Sequence, residues 1–281
     1  LGHIDLGKID KAEGYLRQAL ALSKTSGARR NQGITHIRLA HVKHQLNKFK
    51  QAKKHLLIAL EILREIQDKS WEGYALSILG EVCLLNSEFD EAKIHLNAAC
   101  QIYQELGEHD WEMISLSYLA RAEAVLGEKS KAWKDSLKVF TNAKEEWPDA
   151  ECPPEIYYNH YLVAQKTSHW TAARYSLEEA AKVLEERVRL ISDPEWQTSY
   201  GTGLRVNRAI SQAVSEQPPP GQLRVNLACT STPAHRQPRP DEMITLTWTV
   251  ISDEEDRGLS GGIKGEKKPS PVELRRHRIL R

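Results

Sequence analysis

Four cysteines are scattered through 281 residues, and no two form a C-x-x-C pair. That removes a disulfide framework and a zinc-type ligand pattern, and makes a reducing cytoplasm the expected setting. A charge bias is missing as well. With 39 basic and 38 acidic residues the formal net charge is +1, so no global basic bias marks the whole chain as a nucleic-acid binder. No apolar run approaches the roughly 20 residues a membrane-spanning helix needs, and no secretory signal is visible; no membrane partner is expected. No glycine-rich phosphate loop and no nucleophile motif occurs. Glutamate and aspartate are plentiful, but no pair is placed for acid–base work. The expectation is a protein that is not an enzyme and carries no cofactor.

What is present is a period. Ala12, Ala52, Ala92, Ala132 and Ala172 recur every forty residues, each with a turn-forming residue five places upstream: Gly7, Asn47, Ser87, Gly127 and Thr167. Leu39, Leu79 and Leu119 form a second column, with Ala40, Gly80 and Ala120 beside it. Leu56 and Leu96, then Ala59 and Ala99, extend the ladder. Apolar positions step by three and four within each unit, as on amphipathic helices. Two helices fit per unit, near 33–46 and 50–66 in the first complete copy, with the small residues where the helices cross closely. A period of this size predicts stacked copies of one helical hairpin, and a long curved surface instead of a deep pit. Binding, not catalysis, is the expected role.

The columns resemble the tetratricopeptide repeat. Leu76, Leu79 and Gly80 followed by Ala92, Leu96 and Ala99 match that family's pattern, and Leu116, Leu119, Ala120 and Ala132 match it in part. The usual unit is about 34 residues. The extra residues are assigned to the links between units, Gln67–Trp71 and Gly107–Trp111, with Trp71 and Trp111 as staples of the next helix. Long-linked repeats of this kind resemble the sensor arrays of bacterial signal-transduction ATPases and transcription activators. The final hairpin departs from register: His160 falls in a small-residue column, and a shift of one residue pairs Ala173, Leu177 and Ala180 instead. Pro153-Pro154 suits the start of that hairpin's first helix. The stretch from Ile191 through Tyr200 and Val206–Ile210 resembles the cap that closes such arrays, with Gly201 and Arg205 departing from its pattern. The chain begins at Leu1 in mid-repeat, which reads as part of a longer protein.

The expected architecture is therefore an all-α superhelical solenoid over 1–192, its first hairpin incomplete, with a helical cap at 193–216. Pro218-Pro219-Pro220-Gly221 marks a boundary. Alternation at Leu223, Val225, Leu227 and Cys229, and again at Ile244, Leu246, Trp248 and Val250, predicts a small β-hairpin within 217–251. A glycine-containing linker, 252–269, leads to Ser270-Pro271-Val272-Glu273, a well-formed helix start. From Arg257 onward eight basic residues face two acids, a net of +6. The basic helix at 270–281 resembles the opening of a helix-turn-helix domain. The resemblance implies phosphate contacts from Arg275, Arg276 and Arg278, and DNA binding only through a further C-terminal domain.

On the array, the first helix of each hairpin should line the concave face. Ile37 with His41, Ser77 with Glu81, Ser117 with Arg121, and Tyr157 with Tyr161 stand one turn apart at matched positions and are the groove candidates. Glu81 and Arg121 offer charge recognition, and the tyrosines stacking area. The expected ligand is a protein, peptide or effector. His36, His41 and His44 tempt a metal reading, but spacings of five and three do not bring all three to one helix face. Two roles remain open: the sensor and interaction module of a bacterial signalling or transcription regulator, or a stand-alone adaptor with no DNA role.

Overall fold

The computed structural model describes residues 9–147, 152–216, 225–229 and 246–250. The chain divides into two compact units, Leu1–Gln217 and Pro218–Arg281. Among the described residues the first unit holds eleven helices: α1 (Ile9–Thr25), α2 (Arg29–Gln45), α3 (Phe49–Glu65), α4 (Lys69–Leu85), α5 (Phe89–Leu106), α6 (His109–Val125), α7 (Lys129–Glu146), α8 (Pro154–Thr167), α9 (Trp170–Leu190), α10 (Pro194–Gly203) and α11 (Arg205–Glu216). Each helix from α1 to α9 packs on the next, giving four complete antiparallel hairpins after the lone α1. This is a tetratricopeptide-like helical-repeat solenoid. No described helix is long and apolar enough to cross a membrane.

Why the unit is forty residues long is visible at the turns. The backbone enters the left-handed region at Gly27, Asn47, Gln67, Ser87, Gly107 and Gly127, one residue in every twenty. The amide that follows each of these reaches back five residues into the last turn of the preceding helix, as in Lys48 N to Lys43 O at 2.8 Å, Glu88 N to Cys83 O at 2.8 Å and Glu128 N to Glu123 O at 2.9 Å. This is the Schellman ending, which satisfies carbonyls that a helix terminus leaves open. The same device closes both the hairpin turns and the links between hairpins. The expectation of long links at Gln67–Trp71 and Gly107–Trp111 is therefore corrected: Lys69–Trp71 and His109–Trp111 already lie in α4 and α6. The extra length sits in the helices, which run 17 residues in α2, α3 and α4.

The small-residue ladder packs where helices cross. Ala52, Ala92 and Ala132 have no exposed surface, nor do Leu56 and Leu96. Gly80 is the tightest point described: a Cβ there would stand 2.4 Å from Leu96 Cγ. Neighbouring units are also tied by polar contacts repeating at nearly the same step. Arg30 Nε donates to Asp68 at 2.7 Å, Ser70 Oγ to Glu108 at 3.1 Å, and Trp147 Nε1 to Asp110 at 2.9 Å. On the second helices, Lys53 bridges to Glu88 and Lys93 to Glu128. One unit on, the corresponding place is taken by Trp133, stacked on His169 with ring centroids 3.7 Å apart.

The last hairpin is rephased. Its left-handed residue is Ser168, not Thr167, so the turn comes one residue later than the ladder requires. Ala173, Leu177 and Ala180 are buried, while Ala172 keeps some exposure. His160 fits because Ser136 stands opposite it, in the column that carries Leu56 and Leu96 earlier; Ser136 Oγ and His160 Nδ1 are 2.6 Å apart, and Phe140 stacks on the imidazole at 4.6 Å. The cap then locks on. Asn207 Nδ2 donates to Tyr200 O at 2.8 Å, Arg208 donates to the carbonyls of Thr202 and Gly203, and Tyr200, Ile210 and Ala213 join the apolar core of α8 and α9.

In the second unit two strands are described, β1 (Val225–Cys229) and β2 (Leu246–Val250), paired antiparallel with Val225 opposite Val250 and Leu227 opposite Trp248. A two-stranded pair is marginal by itself in water. The rest of the 217–251 segment, the 252–269 linker and the 270–281 basic helix with Arg275, Arg276 and Arg278 lie outside the described residues.

Two consequences can be measured by chemical denaturation. Nothing lies within 4 Å of where a Cβ would stand at Gly107, so Gly107→Ala isolates the backbone cost of a left-handed residue and should destabilise by about 1 kcal/mol, while Gln67→Gly should stabilise by a similar or smaller amount. Gly80→Ala gains helix propensity but meets a buried leucine. It should destabilise by about 1–2 kcal/mol net, and Leu96→Val should recover part of that loss when combined with it.

Candidate functional site

The first helices α2, α4, α6 and α8 lie side by side; Ser115 donates to Ser77 at 3.0 Å, linking α6 to α4, and Asn159 Nδ2 to Ser117 Oγ at 2.9 Å, linking α8 to α6. Their shared outward row forms the inner wall of the array. His41, Glu81 and Arg121 occupy it at the forty-residue step, each partly accessible. The fourth member, Tyr161, is nearly buried, and its hydroxyl accepts a hydrogen bond from Gln165 at 2.8 Å.

The other half of each candidate pair faces inward. Ile37 and Tyr157 have no exposed surface and belong to the apolar cores, so they are corrected from groove residues to core residues. Ser77 and Ser117 are likewise buried and serve the links between repeats; Ser117 also donates to Ile114 O at 2.7 Å. At 3.6 residues per turn, positions four apart diverge in angle by about 40°, and that small rotation separates core from wall. Three residues before the wall row, Arg38 and Tyr158 keep some exposure while Ile78 and Tyr118 are buried. Arg38 lies over Trp71 and Tyr74, with its guanidinium carbon 6.0 and 5.8 Å from their centroids. Tyr118 and Tyr158 hold the corresponding places on α6 and α8.

The wall is polar but poorly hydrated, and its titration reflects that. Burial holds the His41 imidazole down at about 4, helped by the nearby His44. Burial likewise lowers His44, whose Nε2 stands 3.4 Å from the Glu81 carboxylate. Burial pushes the Tyr118 phenol up, lowers the Arg121 guanidinium, and raises the Glu155 carboxyl. Arg121 donates to Asn159 Oδ1 at 2.9 Å and lies 5.9 Å from the Tyr118 ring centroid.

The wall does not run on openly. The amide of Arg205, at the start of α11, donates to the side chain of Gln45 at the end of α2, at 2.9 Å. These residues are 160 positions apart in sequence. The curvature accumulated over four hairpins returns the cap to the first complete hairpin and brings Arg205 into the wall. Residue spacing within a repeat carries no signal for this contact.

His36, His41 and His44 do not converge on a metal position. His36 meets His55 instead, Nδ1 to Nδ1 at 3.0 Å, and His41 and His44 have ring centroids 6.3 Å apart. Cys83, Glu88 and Glu91 do bring potential ligand atoms within 4.8 Å of one another. The Lys53 ammonium already binds both of those carboxylates, and burial raises the Cys83 thiol to about 12, which keeps it protonated.

The buried histidines make stability depend on pH. His36, His41 and His160 each titrate at about 4 when folded, chiefly through burial. The unfolded chain takes up these protons near 6.5. The lowered folded value means stability is fully present above about pH 6.5 and is lost as pH falls toward about 4, by about 1–3 kcal/mol per histidine at the lower end. Urea titrations at pH 7.5, 6.0 and 4.5 should show this decline, and His160→Asn should reduce it.

No protein-family model matches the chain, and no curated protein matches it in sequence. Solved structures do match in shape. A variant of the nearly identical tetratricopeptide-like repeats of a kinesin light chain from Podosopora anserina aligns with a TM-score of 0.50 and 17% identity, over 66% of this chain and 92% of that one. A Rap protein complexed with Competence and Sporulation Factor aligns at 0.52 and 18% identity, over 77% of this chain and 62% of that one. A tetratricopeptide-sensor ATPase from Pyrococcus horikoshii matches more loosely, at 0.45 and 19% identity, over 76% of this chain and 32% of that one. At these identities the likeness concerns the fold: the chain has the architecture of tetratricopeptide-like repeat solenoids.

Proposed function

We propose that this chain is a binding scaffold whose inner wall takes a partner protein, peptide segment or effector. One observation carries the reading. His41, Glu81 and Arg121 occupy a wall where apolar or small residues would serve packing better; each stays partly accessible, and burial strips water from His41 and Arg121. Holding ionisable groups in that state opposes folding. A ligand that satisfies them would gain strong, poorly screened interactions. The shape neighbours support the reading at the level of architecture; one of them was solved with Competence and Sporulation Factor bound.

In the finer form, the array is the sensor of a bacterial cytoplasmic signalling or transcription regulator. The 193–216 cap closes it, and the 217–251 hairpin segment and 252–269 linker join it to a basic helix at 270–281. DNA contact would come through Arg275, Arg276 and Arg278 with a further domain. The alternative is a stand-alone adaptor with no DNA role. In either form the chain has no enzymatic activity and no cofactor. Salt-dependent DNA binding by a version extended at the C-terminus, measured by fluorescence anisotropy, favours the first; its absence favours the second.

The groove itself is tested by a double variant. A partner recovered by affinity capture should bind the wild type in calorimetry and lose at least tenfold in affinity to Glu81→Ala with Arg121→Ala. Circular dichroism should show the double variant still helical, with a loss of about 1–2 kcal/mol in stability because Arg121→Ala leaves the buried Asn159 Oδ1 without its 2.9 Å hydrogen bond. Retained binding by the folded double variant would show that the partner docks elsewhere.

A further inference from the structure

We propose that His36 and His55 form a two-histidine site for a divalent transition cation of the zinc, nickel or copper class, held between the two helices of the first complete hairpin. The site is independent of the inner wall. His36 stands five residues before His41, about 140° away from it around α2 at 3.6 residues per turn.

The first argument is a break in the columns. At the forty-residue step the place of His36 is taken by Leu76, Leu116 and Ile156, and Leu76 and Ile156 are buried in the apolar cores. His36 is nearly as inaccessible, at 6% exposed. An aliphatic side chain would serve that place better, because burying an imidazole costs it hydration. The place of His55 is polar in the next two units as well, with His95 and Asp135, each partly accessible as His55 is. In the first complete hairpin alone do both columns carry a ligating residue.

The second argument is geometry. The two Nδ1 atoms are 3.0 Å apart and the ring centroids 5.3 Å apart. Metal–imidazole bonds of about 2.0–2.1 Å set two ligating nitrogens about 2.9 Å apart at a right angle and about 3.4 Å apart at a tetrahedral one. The observed separation falls in that interval. The backbones that carry the rings are fixed by Ile37 and Leu56, neither of which has exposed surface. His55, being partly accessible, has the freedom to turn its lone pair from the His36 ring toward a shared ion.

The third argument is the state of the rings. Burial lowers both imidazoles, His36 to about 4, so at neutral pH each is in the uncharged form that ligates. Without the ion, one ring donates its Nδ1–H to the other. Binding moves that proton to Nε2 of the same ring, and no net proton is released. Imidazole nitrogen favours the borderline transition cations over magnesium and calcium. Lys24 acts on His36 against a positive charge, as do Lys43, Lys54 and Arg17 on His55, while Glu13 acts in its favour. Lys43 and Arg17 are both ion-paired with Glu13, which blunts their opposition. Two protein ligands in that setting hold a cation reversibly, as a sensed ion and not a resident one.

Zinc chloride alone is the probe, titrated into the full chain without a polyhistidine tag, against magnesium chloride at equal ionic strength. Zinc should raise the melting temperature saturably and magnesium should not. Proton–nitrogen correlation spectra of the imidazoles should show the Nδ1–H ring of the pair converting to the Nε2–H form. His55→Gln, at a partly accessible position, should weaken zinc at least tenfold. His36→Leu installs the residue that Leu76 supplies one unit on. It should keep the fold and the metal-free melting temperature, and lose zinc to the same extent. The proposal is overturned if zinc acts no differently from magnesium, or if the His36 and His55 ring signals stay unchanged at saturating zinc. It is also overturned if either folded variant binds zinc as tightly as wild type, which places the ion on other histidines. The groove reading stands or falls separately, since Glu81→Ala with Arg121→Ala leaves both histidines intact.

Discussion

The register of the array depends on one backbone constraint: a left-handed residue at the end of each helix from α1 to α6, recurring every twenty positions from Gly27 to Gly127. The turn fixes where one helix stops and the next begins, and so fixes the phase of each helix about its own axis. Constant phase makes the same columns bury in every unit. It also places His41, Glu81 and Arg121 in one row although their chemistry has nothing in common. The residue type at the turn varies, with Asn47, Gln67 and Ser87 doing what glycine does at 27, 107 and 127. Non-glycine residues tolerate this region at a cost of about 1–2 kcal/mol. The repeated hydrogen bonds to the preceding helix end offset that cost and hold the geometry.

Where the phase slips, the packing changes partners. The α7–α8 connection is longer than the others, and the next left-handed residue, Ser168, comes a place late. A histidine then enters a small-residue column, and the column facing it gives up a leucine for Ser136. Volume is roughly conserved across the contact, but its character turns from apolar to polar and aromatic. The same substitution of character occurs on the second helices, where Trp133 stacked on His169 stands in for a lysine–glutamate bridge. The last hairpin is thus fastened differently from the first three, at the point where the cap takes over.

The ladder of alanines and leucines is legible in the sequence because close helix crossing tolerates few residue types, and the hairpins follow from it. Link lengths are not legible: a left-handed Gln67 looks like any polar residue in a loop, so 17-residue helices read as shorter ones with long links. The wall is half legible. His41, Glu81 and Arg121 sit at a step that periodicity reveals, but Ile37, Ser77, Ser117 and Tyr157 lie about 40° away around the helix, and a pattern of matched positions does not distinguish those two directions. The polarity of Ser77 and Ser117 misleads because a serine can be buried when its hydroxyl finds a partner in the next repeat, as Ser115 and Asn159 provide. Arg205 has no sequence signal that places it. Its position in the wall is set by summing the turn-to-turn angles of eight helices.

That sum explains how a stack of hairpins, each touching only its neighbours, comes to have a localised site. Repeat proteins are nearly one-dimensional in their energetics. A contact between Gln45 and Arg205 breaks that rule, since it joins the ends of the array without passing through the middle. Its strength is that of a single neutral hydrogen bond, about 1 kcal/mol, and it acts at the end of a long lever. A small change of angle in each turn leaves every local contact intact while displacing the cap appreciably relative to α2. The shape of the groove is therefore the softest property of a molecule whose individual hairpins are well packed.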